Sequence, residues 1–395
     1  METLQNINFN NKKVLIRVDF NVPLNAHFEV TDSTRIVSAK PTIMKVLEDG
    51  GSCILMSHLG RPKSKELAFS LQHIVNVLET VLGKDVLFCS SCIGEDAQKA
   101  SDNLKPGQVL LLENLRYYPE ETTGGIGFAE ALSKLGDFYI NDAFGTAHRA
   151  HASTTIIAQF FPENKCFGSL LAQEIESIDK VMQTGEKPVL AILGGAKVSS
   201  KITIINNILD KVDHLIIGGG MTFTFVKALG GSIGDSICED DKMELALQIL
   251  DRAKAKNVQV HIPVDVLAAD DFSNHANTQF VDVRTIPANW QGLDCGPKSK
   301  ALFHEVVQKC KTILWNGPLG VFEMEAFSSG TIALGNSIAE ATKNGAFSLV
   351  GGGDSVSAVK QFGFEKKVSY VSTGGGAMLE SLEGKTLPGI AAISN

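Results

Sequence analysis

Short apolar runs recur along this chain, each ending in a turn and giving way to a helical pattern, and no other feature narrows the fold as far. In the first half the runs are KVLIRVDF, SCILMSHLG, DVLFCSS, QVLLLENLR and DFYINDAFG. In the second they are VLAILGG, HLIIGGG, VQVHIPVD, KTILWNGP, FSLVGGG and VSYVSTGGG. Between them lie stretches of helical period such as TRIVSAKPTIMKVLEDG and KMELALQILDRAKAKN. Strand and helix in alternation mean βαβ units, hence an α/β protein with mostly parallel sheets covered on both faces. About a dozen strands suit two sheets of ordinary size better than one, and 395 residues exceed one ordinary core. A long helical pattern over 168–183 separates the two strand series and is placed to link two lobes. The last residues, KTLPGIAAISN, have too little apolar surface to stand alone and must dock elsewhere.

Composition sets the outer limits. Hydrophobic content of 44% with 20% charged residues is that of a globular protein. No apolar run approaches the ~20 residues of a membrane span, and METLQNINFNNKKV has no apolar signal core. Seven scattered cysteines, an odd count, fit a reducing cytoplasm better than a disulfide framework. CSSC (Cys89 to Cys92) has redox or metal spacing but no matching second pair, so a plain pair of thiols is preferred. A net charge of −8 argues against nucleic-acid binding.

Ligands of open α/β sheets bind beyond the carboxyl ends of the strands, so polar residues there carry the functional signal. Of seven arginines, five (Arg17, Arg35, Arg61, Arg116, Arg149) lie in the first 149 residues. Asp19 and Asn21 follow the first run, and His58, Leu59, Gly60 and Arg61 follow the second. Arg116 sits in ENLRYY, Arg149 beside His148 and His151 in NDAFGTAHRAH, and Arg35 at the opening of a helix. Guanidinium forks suit bidentate contact with carboxylate and phosphate, which points to a small, multiply charged anion. Arg17, mid-strand on the face of Asp19, reads equally well as a structural ion pair. HRAH lacks a third ligand at metal spacing, so anion contact or helix capping is the better reading.

In the second half four strands end in glycine clusters: Gly194–Gly195, Gly218–Gly220, Gly351–Gly353 and Gly374–Gly376. Glycine lets phosphates or a flat base lie against the backbone, and four such ends favour a nucleotide. Neither G-x-G-x-x-G nor G-x-x-x-x-G-K-[ST] is present, which argues against a dinucleotide-dependent dehydrogenase. A two-lobe solute-binding protein would not need the lysines of LGGAKVSSK, where Lys197 and Lys201 stand four apart. On a helix that spacing puts both ammoniums on one face. Asp354, directly after Gly351–Gly353, reads as a Mg²⁺ ligand or as a helix N-cap. Glu323 reads as a ribose contact or an ordinary exposed acid.

With those residues in view, RVDFNVP, SHLGRP, LLENLR, NDAFGTAHRAH, AILGGAKVSSKI, IIGGGM, LDCGP, WNGPLGVFE, GGGDS and STGGGA resemble, in order, the motifs of the phosphoglycerate kinase family. The resemblance implies two doubly wound (Rossmann-like) lobes facing across a cleft and joined by a long helix. They would comprise 1–167 with the returning 384–395, and 168–383. It implies reversible phosphoryl transfer from 1,3-bisphosphoglycerate to MgADP, giving 3-phosphoglycerate and MgATP, by a cytoplasmic monomer. Carried over position by position, Asp19, Asn21, Arg35, His58, Leu59, Gly60, Arg61, Arg116 and Arg149 bind the glycerate. Lys201, Gly292, Asn316, Glu323, Gly352, Gly353, Asp354 and Ser355 contact the nucleotide, with Asp354 towards Mg²⁺. The resemblance also places phosphate-binding lysines at Lys197 and Lys201. Neutralisation of the transferring phosphoryl is expected from Arg35, Lys197, Lys201 and backbone N–H groups near Gly352 and Gly375. Ser355 stands where many relatives have threonine. The attacking oxygen, of a phosphate or a carboxylate, is already ionised, so no general base is expected, and closure of the lobes would bring the ligands in line.

Overall fold

The apolar runs of the first half become strands β1 (Lys13–Arg17), β2 (Ser52–Met56), β3 (Val86–Cys89), β4 (Val109–Leu112) and β5 (Phe138–Asn141), joined by a short β6 (Lys165–Phe167). They form one parallel sheet in the order β3-β4-β2-β1-β5-β6. This computed structural model describes residues 3–394; Met1, Glu2 and Asn395, at the outer ends of the first expected lobe, lie outside the described residues.

Side chains alternate across the sheet as a strand requires. Val14 and Ile16 of β1 face one buried cluster with Ile36, Ile43 and Leu55, whereas Leu15 faces another with Ile54, Leu110 and Tyr139. Because both faces are covered, the strands read as continuous apolar runs. Helix Pro388–Ser394 belongs to this unit. Its Gly389 N–H donates to the Ala147 carbonyl at 2.8 Å, and Lys165 Nζ donates to the Ala392 carbonyl at 2.9 Å. Ile393 enters the cluster of Leu15.

The second half contributes β7 (Val189–Leu193), β8 (His214–Ile217), β10 (Gln259–His261), β15 (Thr312–Asn316), β16 (Phe347–Val350) and β17 (Tyr370–Val371). These form a second parallel sheet in the order β10-β8-β7-β15-β16-β17. An insertion adds strands that the apolar pattern does not reveal. Strands β11 (Asp265–Ala269), β12 (Thr278–Asp282) and β14 (Gln291–Cys295) pair antiparallel, and β9 (Ser232–Ile233) pairs with β13 (Thr285–Ile286).

The chain divides into two compact units, the first running to Ile175 and resuming at Thr386, the second spanning Glu176–Lys385. The helical pattern at 168–183 is helix Ser169–Asp179 followed by a π-helical turn, Lys180–Thr184. Among the described residues no helix is long and apolar enough to cross a membrane. All seven cysteines are free thiols.

Candidate active site

A doubly wound sheet leaves a crevice where neighbouring strands send their connections in opposite directions. In the first sheet that point lies between β1 and β5, and in the second between β7 and β15.

Past β1, Asp19 is buried and accepts from Arg35 Nη1 at 3.0 Å; the same nitrogen donates to the Asn21 carbonyl at 3.1 Å. Arg35, second residue of helix Thr34–Glu48, is thus aimed by the loop after β1. Asn21 Oδ1 accepts from the Gly60 N–H at 2.8 Å, and Arg116 Nη1 donates to the Gly60 carbonyl at 2.6 Å. Asn114, which the sequence reading passed over, accepts from the Leu59 and Arg116 N–H groups at 3.2 and 3.0 Å. Its only prior signal was its place in the ENLR motif. Gly60 has φ +61°, and an added Cβ would run into the Phe69 ring, so this peptide admits glycine alone.

Arg61 and Arg149 are exposed, and Arg149 Nε donates to His148 Nε2 at 3.1 Å. Burial, then the charges of Arg17, Arg61 and Arg149, push the Arg116 guanidinium down to about 10. Its Nε is buried with no hydrogen-bond partner. Burial, followed by Arg17, Arg116 and Arg35, holds His58 well below the ordinary histidine range. The charges of Arg35, Arg61, Arg116 and Arg149 therefore act on one region that an anion would relieve. Arg17 itself is fully buried; its counter-ion is Glu121, with Arg35 the partner of Asp19. No group of three or more histidines, cysteines or acids among the described residues is placed to hold a metal.

The second unit corrects two local expectations. Residues 198–201 form a turn, and the helix begins only at Ile202, so Lys197 and Lys201 do not share a helical face. Lys197 is exposed just before that turn, with its charge acting on Glu239. Lys201 is half-buried and donates from Nζ to Asn316 Oδ1 at 2.5 Å, crossing from β7 to β15. Burial lowers the Lys201 pKa, and Asp354 opposes that shift. Asn316 Nδ2 in turn donates to the Gly351 carbonyl at 2.7 Å. The second correction concerns Asp354. The N-cap of helix Gly353–Gln361 is Gly352, at φ +91°, and Asp354 lies exposed in the first turn. Gly375 caps helix Gly376–Leu382 in the same way, at φ +47°. The Ser355 hydroxyl is buried and accepts from the Gly317 N–H at 2.5 Å, so it braces the loop after β15.

Beside these groups lies a cavity of about 420 Å³ within the unit. Its walls include Gly219, Gly220, Gly292, Leu293, Phe272 and Val321, with Glu323 and Asp354 among its polar side chains. Gly292 is fixed by its N–H on Ser236 Oγ at 2.9 Å, and a Cβ there would strike the Phe223 ring. An apolar slot of this size with a few polar groups suits a flat base and a sugar. The apolar wall residues Phe272, Leu293 and Val321 were missed in sequence, because nothing distinguishes them from core. An exposed carboxylate facing a lysine at a helix N-terminus fits a magnesium nucleotide.

A sequence profile of the phosphoglycerate kinase family matches residues 4–385. The phosphoglycerate kinase of Porphyromonas gingivalis is 52% identical over 99% of this chain and 99% of its own. That of Chloroherpeton thalassium is 49% identical over 100% and 99%. Among solved structures, phosphoglycerate kinase from Coxiella burnetii superposes with a TM-score of 0.91 at 41% identity, covering 98% of this chain and 97% of that one. The Pyrococcus horikoshii phosphoglycerate kinase gives 0.82 at 30% identity, covering 100% and 98%.

Proposed function

Because the chain belongs to the phosphoglycerate kinase family, and so has that kinase activity of glycolysis and gluconeogenesis, we propose how its two units divide the reaction. The first binds the glycerate ligand through Asn21, Arg35, His58, Arg61, Arg116 and Arg149, with Asp19 orienting Arg35 and Leu59 and Gly60 shaping the loop. The second binds the nucleotide in the glycine-walled cavity, with Gly292 against the base, Glu323 at the ribose, and Gly352, Gly353 and Ser355 offering N–H groups to phosphate. Asp354 would hold Mg²⁺, which would supply charge neutralisation when bound. The working form in this reading is the monomer that the family resemblance implies.

Both nucleophilic oxygens, of ADP phosphate and of the glycerate carboxylate, are ionised at neutral pH. This chain's task is therefore alignment and charge stabilisation rather than proton removal. Arg35 and Lys201 neutralise the equatorial oxygens. Lys197 adds an ammonium from its exposed place before the turn, and the N–H groups at Gly352 and Gly375 complete the cradle. Because the two ligands belong to different units, transfer requires hinged closure that brings them in line.

The contact that supports this reading most is the Lys201–Asn316 bond, which fixes an ammonium between β7 and β15 beside Asp354. In a coupled assay of ATP formation, Lys201→Ala and Arg35→Ala should each lower kcat by at least ~10²-fold. A near-normal kcat in either variant removes that residue from the role.

A further inference from the structure

The core of the first unit holds a buried charge pair to which the proposed function gives no part in binding. Arg17 and Glu121 are both fully buried, with Arg17 Nη2 4.0 Å from Glu121 Oε1. Ser153 bridges them. Its Oγ accepts from Arg17 Nε at 2.8 Å and donates to Glu121 Oε1 at 2.7 Å, while its N–H donates to Glu121 Oε2 at 3.0 Å. Arg17 Nη1 donates to the Val18 carbonyl. A buried pair of this kind adds little stability over an apolar pair of similar volume, so stability alone does not account for it.

The remaining contact of Arg17 is directional. Its Nη2 lies 3.2 Å from Nδ1 of His58, itself buried at the end of β2. A guanidinium only donates, so the hydrogen between them belongs to arginine and Nδ1 presents a lone pair. We infer that Arg17 is a positioning residue that fixes His58 as the neutral imidazole with its proton on Nε2, making Nε2–H the donor offered to the glycerate ligand. This rests on the assignment of His58 to that ligand.

The tautomer matters because the ring is held neutral. Burial does most of this; Arg17 from β1, Arg116 from beyond β4, Arg35 from helix Thr34–Glu48 and His151 from beyond β5 all push the same way. A neutral ring has one N–H. With the proton on Nδ1, a lone pair would face a phosphate or carboxylate and repel it; with the proton on Nε2 the same ring attracts it. Arg17 selects the second state without leaving the core, and Glu121 keeps its charge balanced.

Two-bond ¹H–¹⁵N correlation on the full chain, labelled at histidine, reads the tautomer directly. The wild type should show His58 protonated on Nε2 alone, unchanged from about pH 6 to about 8. A proton on Nδ1, or an imidazolium at neutral pH, overturns the inference, and this outcome needs no variant. In Arg17→Met combined with Glu121→Gln, which leaves no lone buried charge, burial still keeps the ring neutral, but without the Arg17 donor on Nδ1 the proton should redistribute and Nδ1–H should appear in the same spectrum. The KM for 3-phosphoglycerate should rise about 10-fold at pH 8, with the KM for MgATP unchanged. A variant spectrum that still shows Nε2–H alone counts against the inference, since a merely structural defect has no reason to move the tautomer. His58→Ala separates the two levels. If it leaves the KM for 3-phosphoglycerate unmoved, the contact and the inference both fall; if the KM rises while the wild-type spectrum shows Nδ1–H, only the inference falls.

Discussion

Asp354, an exposed carboxylate whose charge acts on Lys201, is the residue proposed to hold Mg²⁺. Asp354→Asn keeps the shape and removes the charge. It should raise the Mg²⁺ concentration needed for half-maximal rate by about 10-fold or more; an unchanged magnesium titration would sink the assignment. A second residue-scale consequence concerns acids in the core. Burial raises Asp142 to about 6, despite hydrogen bonds from Thr42 and the Leu170 and Leu171 N–H groups. The folded state therefore holds this proton more tightly than the unfolded chain, whose aspartates titrate near about 4. Stability contributed by the protonated form is complete below about 4 and is lost as pH rises through about 6, roughly 2–3 kcal/mol in all. Asp142→Asn should flatten the thermal midpoint of the first unit between those pH values and raise it at pH 7. A lower midpoint at pH 7 would mean that the ionised carboxylate is stabilising. The place of the charged residues past the strand ends was legible in sequence because the apolar runs mark where each strand stops. The lysine spacing misled, because two glycines and a small-residue turn delay the helix to Ile202.

At the scale of elements, the nucleotide side depends on two strands whose ends meet backbone to backbone. The Gly194 N–H donates to the Asn316 carbonyl at 2.9 Å, and a Cβ on Gly194 would collide with the Pro318 carbonyl and the Gly317 backbone. No flexible side chain is available to yield. Gly194→Ala should cost about 1–3 kcal/mol and weaken MgADP binding, measured by calorimetry, while 3-phosphoglycerate binding stays within about twofold. Loss of both affinities would show that the second unit supports the first more than their separate cores suggest. The central strands of both sheets were readable because burial on two faces makes them uniformly apolar. Strand β6, three residues long, was too short to stand out. Strand β12 is mostly exposed, and β9 and β13 have two residues each, so none imprints a pattern. The insertion that carries Gly292 therefore showed itself only through its motif.

For the whole molecule, the decisive feature is that the first unit is discontinuous in sequence. Asn141, on the strand that flanks its crevice, donates from Nδ2 to the Gly389 carbonyl at 3.2 Å, and Ile393 fills the core beneath. Ending the chain after Lys385 should lower the thermal midpoint of the first unit and raise the KM for 3-phosphoglycerate, while MgADP binding by the second unit persists. Intact 3-phosphoglycerate binding in that truncation would show the docked helix to be dispensable. On the ribosome the same feature inverts the usual order of assembly. Every residue of the second unit has been synthesised before Ile393 exists, so the first unit to be translated is the last whose core is complete, some two hundred peptide bonds later.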